Sequence, residues 1–416
     1  MITVGEDLWT AETRRGDDAL AGLRHEWEDL YARCTTAAPF QAYAWLESWC
    51  RSYAEPGALR VTLVRHHGRL VAAAPFQLSR RTGAAVLTPL GGALADFTDV
   101  LAADDAVRPA TRILARALLL DPGWDAVDLP ESRPGPAGAA LWQTWPGRKW
   151  RMPASLCFEL TAMPMEDLVR SLPAKTRKTV RRRLNQLART DVDVSEVTPE
   201  RAAPAVAELL RLHELQWRGR GINEHHLSAQ FAAHLTRSVT GMLSGGQAAL
   251  YEYRIDGRLM CSSLMLIGRD LVGGYLYGTD PELRERVDVS TMLMNDTLPL
   301  AHRLGLPTMS MLRGDEPYKL RWEPRLALNE RMVLARPGSA RGLAYGLRVR
   351  SARAAVQAAK EHAPWLRTVR DRLRRGAGSA SHGKPSGDSA SPGEPGADSA
   401  GARKPGGDSA GAGSAG

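Results

Sequence analysis

The alternation of apolar and polar residues picks out two strand pairs of the same shape. Residues 59–65 alternate as a strand, His67-Gly68 reads as a tight turn, and residues 69–78 alternate again. Further along, residues 248–255, the turn Asp256-Gly257 and residues 258–267 repeat the plan, with HGRLVAAA and DGRLMCSS in equivalent places. Asp-Gly between alternating runs predicts a hairpin, because both turn positions favour positive φ. A third strand follows each hairpin, at 85–90 in the first copy and 271–277 in the second. Repetition of a supersecondary order predicts two similar α/β halves.

The second copy continues with the loop TDPELRERVD, a helical pattern over 289–304, a stop at Gly305 and the strand PTMSMLRG. A helix that opens just after a strand aims its free backbone N–H groups beyond the strand end. With the helix dipole those donors make an anion site suited to a pyrophosphate, with Asp288, Ser290 or Thr291 as the cap. Gly273-Gly274 inside the third strand implies either a ligand close to the backbone or a bulge. Pro299 predicts a kink in the helix. Neither GxxxxGKS nor GxGxxG occurs, which argues against nucleotide-triphosphate or dinucleotide chemistry.

Composition narrows the class. With 416 residues, 44% hydrophobic and 24% charged, the chain reads as globular and long enough for two domains. No apolar run reaches membrane-spanning length, the N-terminus lacks a signal-peptide core, and four cysteines lie far apart, so a cytoplasmic setting is expected. The net charge of +9 is uneven: residues 1–336 hold 42 Lys+Arg against 40 Asp+Glu, and residues 337–375 hold 10 against 2. A DNA-binding body is not implied. The basic stretch 342–375, interrupted at Pro364, reads as a helix that either packs on the body or makes peripheral contact with an anionic membrane surface. From Gly376 a repeated Gly/Ser/Ala/Pro/Asp tail (KPSGDSA, EPGADSA, KPGGDSA) reads as disordered. The expected divisions are 1–155, 156–335, 336–375 and 376–416.

The order β-β-β-α-β resembles the GNAT acetyltransferase core. The words PFQAYAWLESWCRSY, LPAKTRKTVRRRLNQL, LHELQWRGRG and LRGDEPYKLRW resemble the CelD/BcsL-type GNAT family, related to Fem-type aminoacyltransferases, over about residues 39–322. The resemblance implies an α/β (α+β) fold of two tandem GNAT-like domains, each a mixed sheet flanked by helices, with acyl-CoA in the second. It implies acyl transfer, from acetyl-CoA or another acyl-CoA, to the amine of a small molecule, amino sugar or envelope precursor. Carried onto this chain, Asp288, Val289, Ser290, Thr291 and Met292 would hold the pyrophosphate, and Tyr275 and Tyr277 would border the pantetheine arm. Gly314, Glu316, Tyr318 and Lys319 match the family's late G-x-E-x-Y-K word.

Direct attack by an amine needs a base, an oxyanion donor and a proton for the leaving group. Glu316 is the candidate base and Asp315 the second, since both follow the last core strand. Tyr318 is the candidate proton donor, and Lys319 could pair with a phosphate. His213 and Trp217 share a helical face and could line an acceptor pocket or simply pack. His225, His226 and His234 lack metal-ligand spacing, so no metal is expected. Asp96 and Asp99 could touch a polar acceptor or cap loops. The acid-free run from Lys175 to Arg189 could meet a phosphorylated donor, including tRNA, or be a solvated junction helix. Two other functions stay open: Fem-like aminoacyl transfer from tRNA, and a non-catalytic scaffold in polysaccharide assembly.

Overall fold

The computed structural model describes residues 2–4, 8–218, 224–314 and 316–362. The first unit contains β1 (Ile2–Val4), β2 (Trp9–Arg15), α1 (Arg24–Ala32), α2 (Tyr43–Tyr53), β3 (Leu59–His66), β4 (Arg69–Arg81), β5 (Ala84–Pro89) and β6 (Leu101–Ala102). It continues with α3 (Val107–Leu120), β7 (Ala126–Ser132), α4 (Pro136–Thr144) and β8 (Lys149–Thr161). The second unit contains α5 (Met165–Ser171), α6 (Ala174–Arg189), β9 (Asp193–Glu196), α7 (Ala202–Trp217), α8 (Ala229–Ser244), β10 (Ala248–Ile255), β11 (Arg258–Ile267) and β12 (Leu271–Thr279). It ends with α9 (Leu283–Arg286), α10 (Val289–Arg303), β13 (Thr308–Arg313), β14 (Arg325–Ala335) and α11 (Ala340–His362).

Both sequence hairpins form. Asp256 and Gly257 have φ of 52° and 74°, and His67 and Gly68 have 49° and 78°. These are the positive values that a two-residue turn needs to match strand twist. The strands join one sheet in the order β1-β2-β3-β4-β5-β7-β14-β8-β13-β12-β11-β10-β9, with β6 paired to β4. The order is nearly a palindrome. In each half a hairpin leads to a third strand that pairs in parallel with the next core strand: β5 with β7, and β12 with β13.

The two strands at the centre are exchanged. β8 ends the first unit but pairs with β13 of the second, whereas β14 ends the second unit but pairs with β7 of the first. β8 and β14 also pair with each other. The 155/156 division expected from sequence therefore falls inside β8. Charged pairs fasten the exchange. Asp128 on β7 is fully buried and accepts from Arg331 on β14 at 2.9 and 2.5 Å and from Tyr345 on α11 at 2.5 Å. Arg133 bonds Asp270 at 2.7 Å, and Arg313 bonds Asp96 at 2.6 Å, each joining the first unit to the second.

Removing one partner of a buried ion pair leaves the other charge uncompensated, which costs about 3–5 kcal/mol. Arg331→Leu is expected to lower unfolding stability by that amount in denaturant titration. A loss under about 1 kcal/mol would show that the crossing does not lean on this pair.

Candidate functional site

The site begins where two parallel strands part. Leu271, Val272 and Gly273 on β12 pair with Thr308, Met309 and Ser310 on β13, and the pairing stops there. The other edge of β12 stays joined to β11 as far as Thr279, with a slip that leaves Tyr275 without an opposite residue. Such a bulge bends the strand and raises its twist. Leu312, buried and held at φ 55°, fills the fork: a Cβ on Gly273 would lie 2.7 Å from its Cδ2. The glycine pair thus has two uses. Gly273 admits Leu312, and Gly274, with open space above its Cα, adjoins the bulge.

Beyond the fork stand Tyr277 on β12 and Glu316 and Tyr318 beside the 3-10 turn Pro317–Trp322. Desolvation of the hydroxyls raises the pKa of both phenols, although much of the Tyr318 side chain is exposed, and Glu316 raises each further. Both therefore keep their protons at neutral pH, and Tyr318 can act as a hydrogen-bond donor. Lys319 is spent on structure. Its buried Nζ donates to Arg313 O at 2.9 Å and Gly314 O at 3.3 Å, and lies 2.8 Å from Glu316 Oε2. It holds the turn and orients Glu316, whose side chain is 45% exposed, rather than reaching for a phosphate. Asp315 lies outside the described residues.

The start of α10 is already occupied by a carboxylate. Asp288 caps the helix, accepting from Thr291 N at 3.0 Å and Thr291 Oγ1 at 2.6 Å. Arg183 of α6 and Arg321 of the 3-10 turn pair with it at 2.6 and 2.8 Å. Val289, Thr291 and Met292 are buried, so they can offer a ligand little beyond backbone, while Ser290 is half-exposed. The two arginines carry the charge a pyrophosphate requires, but this helix start fits one only if Asp288 gives way. Arg321 was not singled out from sequence, although it sits within the word LRGDEPYKLRW.

The remaining candidates separate. Tyr275 turns to the first unit: its hydroxyl donates to Leu94 O at 3.3 Å, and its ring packs 5.4 Å from that of Trp45. Only Tyr277 stays with Glu316. His213 Nδ1 bonds Tyr277 O at 2.9 Å; since a carbonyl only accepts, that nitrogen carries the proton. His213 Nε2 is then the acceptor for His226 Nδ1 at 3.3 Å. Burial and the neighbouring His213 and His225 push His226 down to about 4, which makes it a weak base. His234 is buried against Ser48 and Trp45 at the α2–α8 contact. Trp217 packs beside His213, and Arg218 pairs with Glu214 at 3.8 Å. Asp96 binds Arg313; Asp99, raised to about 7 by burial, accepts from Val100 N at 2.7 Å. Among the described residues no group of three or more His, Cys, Asp or Glu side chains has metal-binding geometry.

The basic run lies on α6 and walls a groove of about 1100 Å³. Arg177, Lys178, Arg181, Arg182 and Arg189 line it from the helix, with Arg286 of α9 opposite; Asp191, Asp256 and Glu285 also reach it, leaving an excess of positive charge. The groove adjoins the helix start, because Gln186 bonds Arg286 O at 2.6 Å and Arg183 reaches Asp288.

Residues 174–320 match the acetyltransferase (GNAT) domain family. The chain carries a GNAT-type acetyltransferase domain. That match places residues 174–320 in an acyltransferase domain family, and the first half of the chain repeats the hairpin-then-parallel-strand order of the second. No curated protein matches the sequence. Among solved structures it is similar to FemX, at 11% identity over 74% of this chain and 95% of that one, with a TM-score of 0.53. It also matches the C-terminal domain of a putative lysylphosphatidylglycerol synthetase from Agrobacterium fabrum, at 9% identity over 77% and 93%, TM-score 0.48. A tandem GNAT protein from the clavulanic acid biosynthesis pathway matches at 17% identity over 78% and 98%, TM-score 0.38. The likeness to FemX is one of fold.

Asp288 gives the GNAT domain a pH signature. Burial raises its pKa, but Thr291, Arg321 and Arg183 outweigh that and hold it below 3.8. A depressed folded pKa stabilises above the unfolded value, near 3.9, and the benefit is lost as pH falls through the folded value. Asp288→Asn keeps a capping side chain but removes the charge. It should lower the melting temperature at pH 7, with the gap to wild type closing below about pH 4. A gap that stays constant from pH 7 to 3 would remove the ion pairs from the account.

Proposed function

We propose that the protein is an N-acyltransferase in which an amine attacks an acyl donor directly at the opening between β12 and β13. The observation that carries this reading is the fork itself: parallel pairing ends at Gly273, and Tyr277, Glu316 and Tyr318 gather beyond it. Glu316 is partly exposed and oriented by Lys319, as a group receiving a proton from an arriving ammonium should be. Tyr318 donates a hydrogen bond to the charge that develops on the leaving group or oxyanion. No covalent relay is required, so holding both substrates in one complex supplies the main advantage. The CelD/BcsL-type resemblance points to acceptors such as amino sugars or envelope precursors. The four unpaired cysteines suit a reducing, cytoplasmic setting. Among the described residues no helix is long and apolar enough to cross a membrane.

Acetyl-CoA or another acyl-CoA is the donor this reading takes first, in keeping with the GNAT domain match. A second reading, aminoacyl transfer from tRNA, is favoured by one specific feature. The helix start is filled by Asp288, whereas the adjoining cationic groove on α6 is wide and open.

Ligand-induced stabilisation separates the two. A donor at about 100 times its Kd adds about 2.7 kcal/mol to the stability of the protein. Acetyl-CoA should raise the melting temperature and aminoacyl-tRNA should not; the reverse would transfer the assignment to the second reading. With the donor fixed, Glu316→Gln is expected to lower kcat by about 10²–10⁴ with donor binding unchanged. Unaltered turnover would take Glu316 out of the mechanism.

A further inference from the structure

The second half of α11 lies largely exposed on the surface of the protein. Its first half is anchored: Gly346 abuts the Trp150 ring, and Tyr345 bonds Asp128. From Arg350 to Val356, by contrast, every residue is exposed. Helices in proteins draw most of their stability from packing an apolar face, so a helix whose side chains are this exposed has surface to spare for a partner. On the anchored half, the side of α11 turned away from Tyr345 and Gly346 carries Leu343 and Leu347, one turn apart and 39% and 49% exposed. Arg341, Arg348, Arg350 and Arg353 flank them, and no acidic residue occurs between Arg336 and Lys360.

This surface runs on toward the candidate site. Arg353 donates to Ala154 O at 2.8 Å, two residues before Leu156 on β8. Leu156 pairs with Leu328 of β14, and Leu326 and Leu328, on one side of that strand, are both exposed. Leu320 and Tyr318, exposed on the 3-10 turn, come next to Glu316 in the chain. Isolated surface leucines are ordinary; a run of them bordered by arginines marks a surface that meets something apolar and anionic together.

We propose that this face docks on an anionic lipid bilayer, with α11 at headgroup level and Leu326 and Leu328 turned to the lipid. Charge selects this occupant. A second copy of the same arginine-rich face would repel it, and a nucleic-acid backbone offers the leucines no hydrocarbon. A bilayer offers acyl chains to the leucines and phosphates to the arginines. The inference goes beyond the acyl-transfer reading and does not depend on it. Docking would bring Tyr318 and Glu316 to the membrane surface.

The test is sedimentation of the full chain with vesicles of phosphatidylglycerol and phosphatidylcholine, against vesicles of phosphatidylcholine alone. Wild type should bind the anionic vesicles and be released by salt. Leu343→Asp with Leu347→Asp, and separately Leu326→Ser with Leu328→Ser, should weaken partitioning by about tenfold or more. All four residues are exposed, so melting temperatures close to wild type will show that the variants fold. Equal binding to both vesicle types, or both variants binding like wild type, would overturn the proposal. So would a dimer in gel filtration that the α11 variant turns to monomer, since a second copy would then be the occupant.

Discussion

The exchange of β8 and β14 is the constraint on which the remaining structure rests. Each strand leaves the unit that it follows in sequence and extends the sheet of the other, so the two halves share one continuous sheet. The exchange also fixes what stands on either side of β13. One neighbour is β12, with which it pairs for only three residues; the other is β8, which holds it down to Arg313. A strand clamped on one edge and released on the other gives a rigid fork, and a rigid fork can present side chains to two substrates at fixed separation.

The two halves share this plan but differ at the fork. In the first unit β5 ends at Pro89 and α3 begins only at Val107, after β6 has intervened. In the second, β12 ends at Thr279 and α10 begins at Val289, so a helix N-terminus lies near the opening. The first unit instead supplies partners: Leu94 O for Tyr275, Asp96 for Arg313, and Trp45 and Ser48 for His234. On this shared plan, one half carries the matched domain and the other braces it. The brace is polar as well as apolar, because Arg313 at the end of β13 is held by carboxylates of the first unit.

Much of the fold was legible in the chain because hairpins are local. Asp256-Gly257 and His67-Gly68 declare their turns by backbone preference, and the strands 248–255 and 258–267 follow from alternation alone. The exchange was not legible, since β8 and β14 alternate like any strand and pairing partners far apart in sequence leave no local mark. At the candidate site, sequence singles out the segment Glu316–Lys319 but not its internal wiring. That Lys319 is spent on two carbonyls and Glu316 depends on its burial, which a short charged word cannot report. The same holds for Asp288. Sequence offers it as a cap, and only packing shows that Arg183 and Arg321 converge on it from separate elements.

The central claim is that acyl donor and amine meet at the β12–β13 opening of the second unit. Amide hydrogen exchange with saturating donor, acetyl-CoA and aminoacyl-tRNA in separate arms, tests it directly. The account predicts new protection concentrated in residues 274–279 and 312–322, with β5 and β7 of the first unit unchanged. Protection that appears instead at β5 and β7, with the second unit's opening exchanging as before, would contradict it.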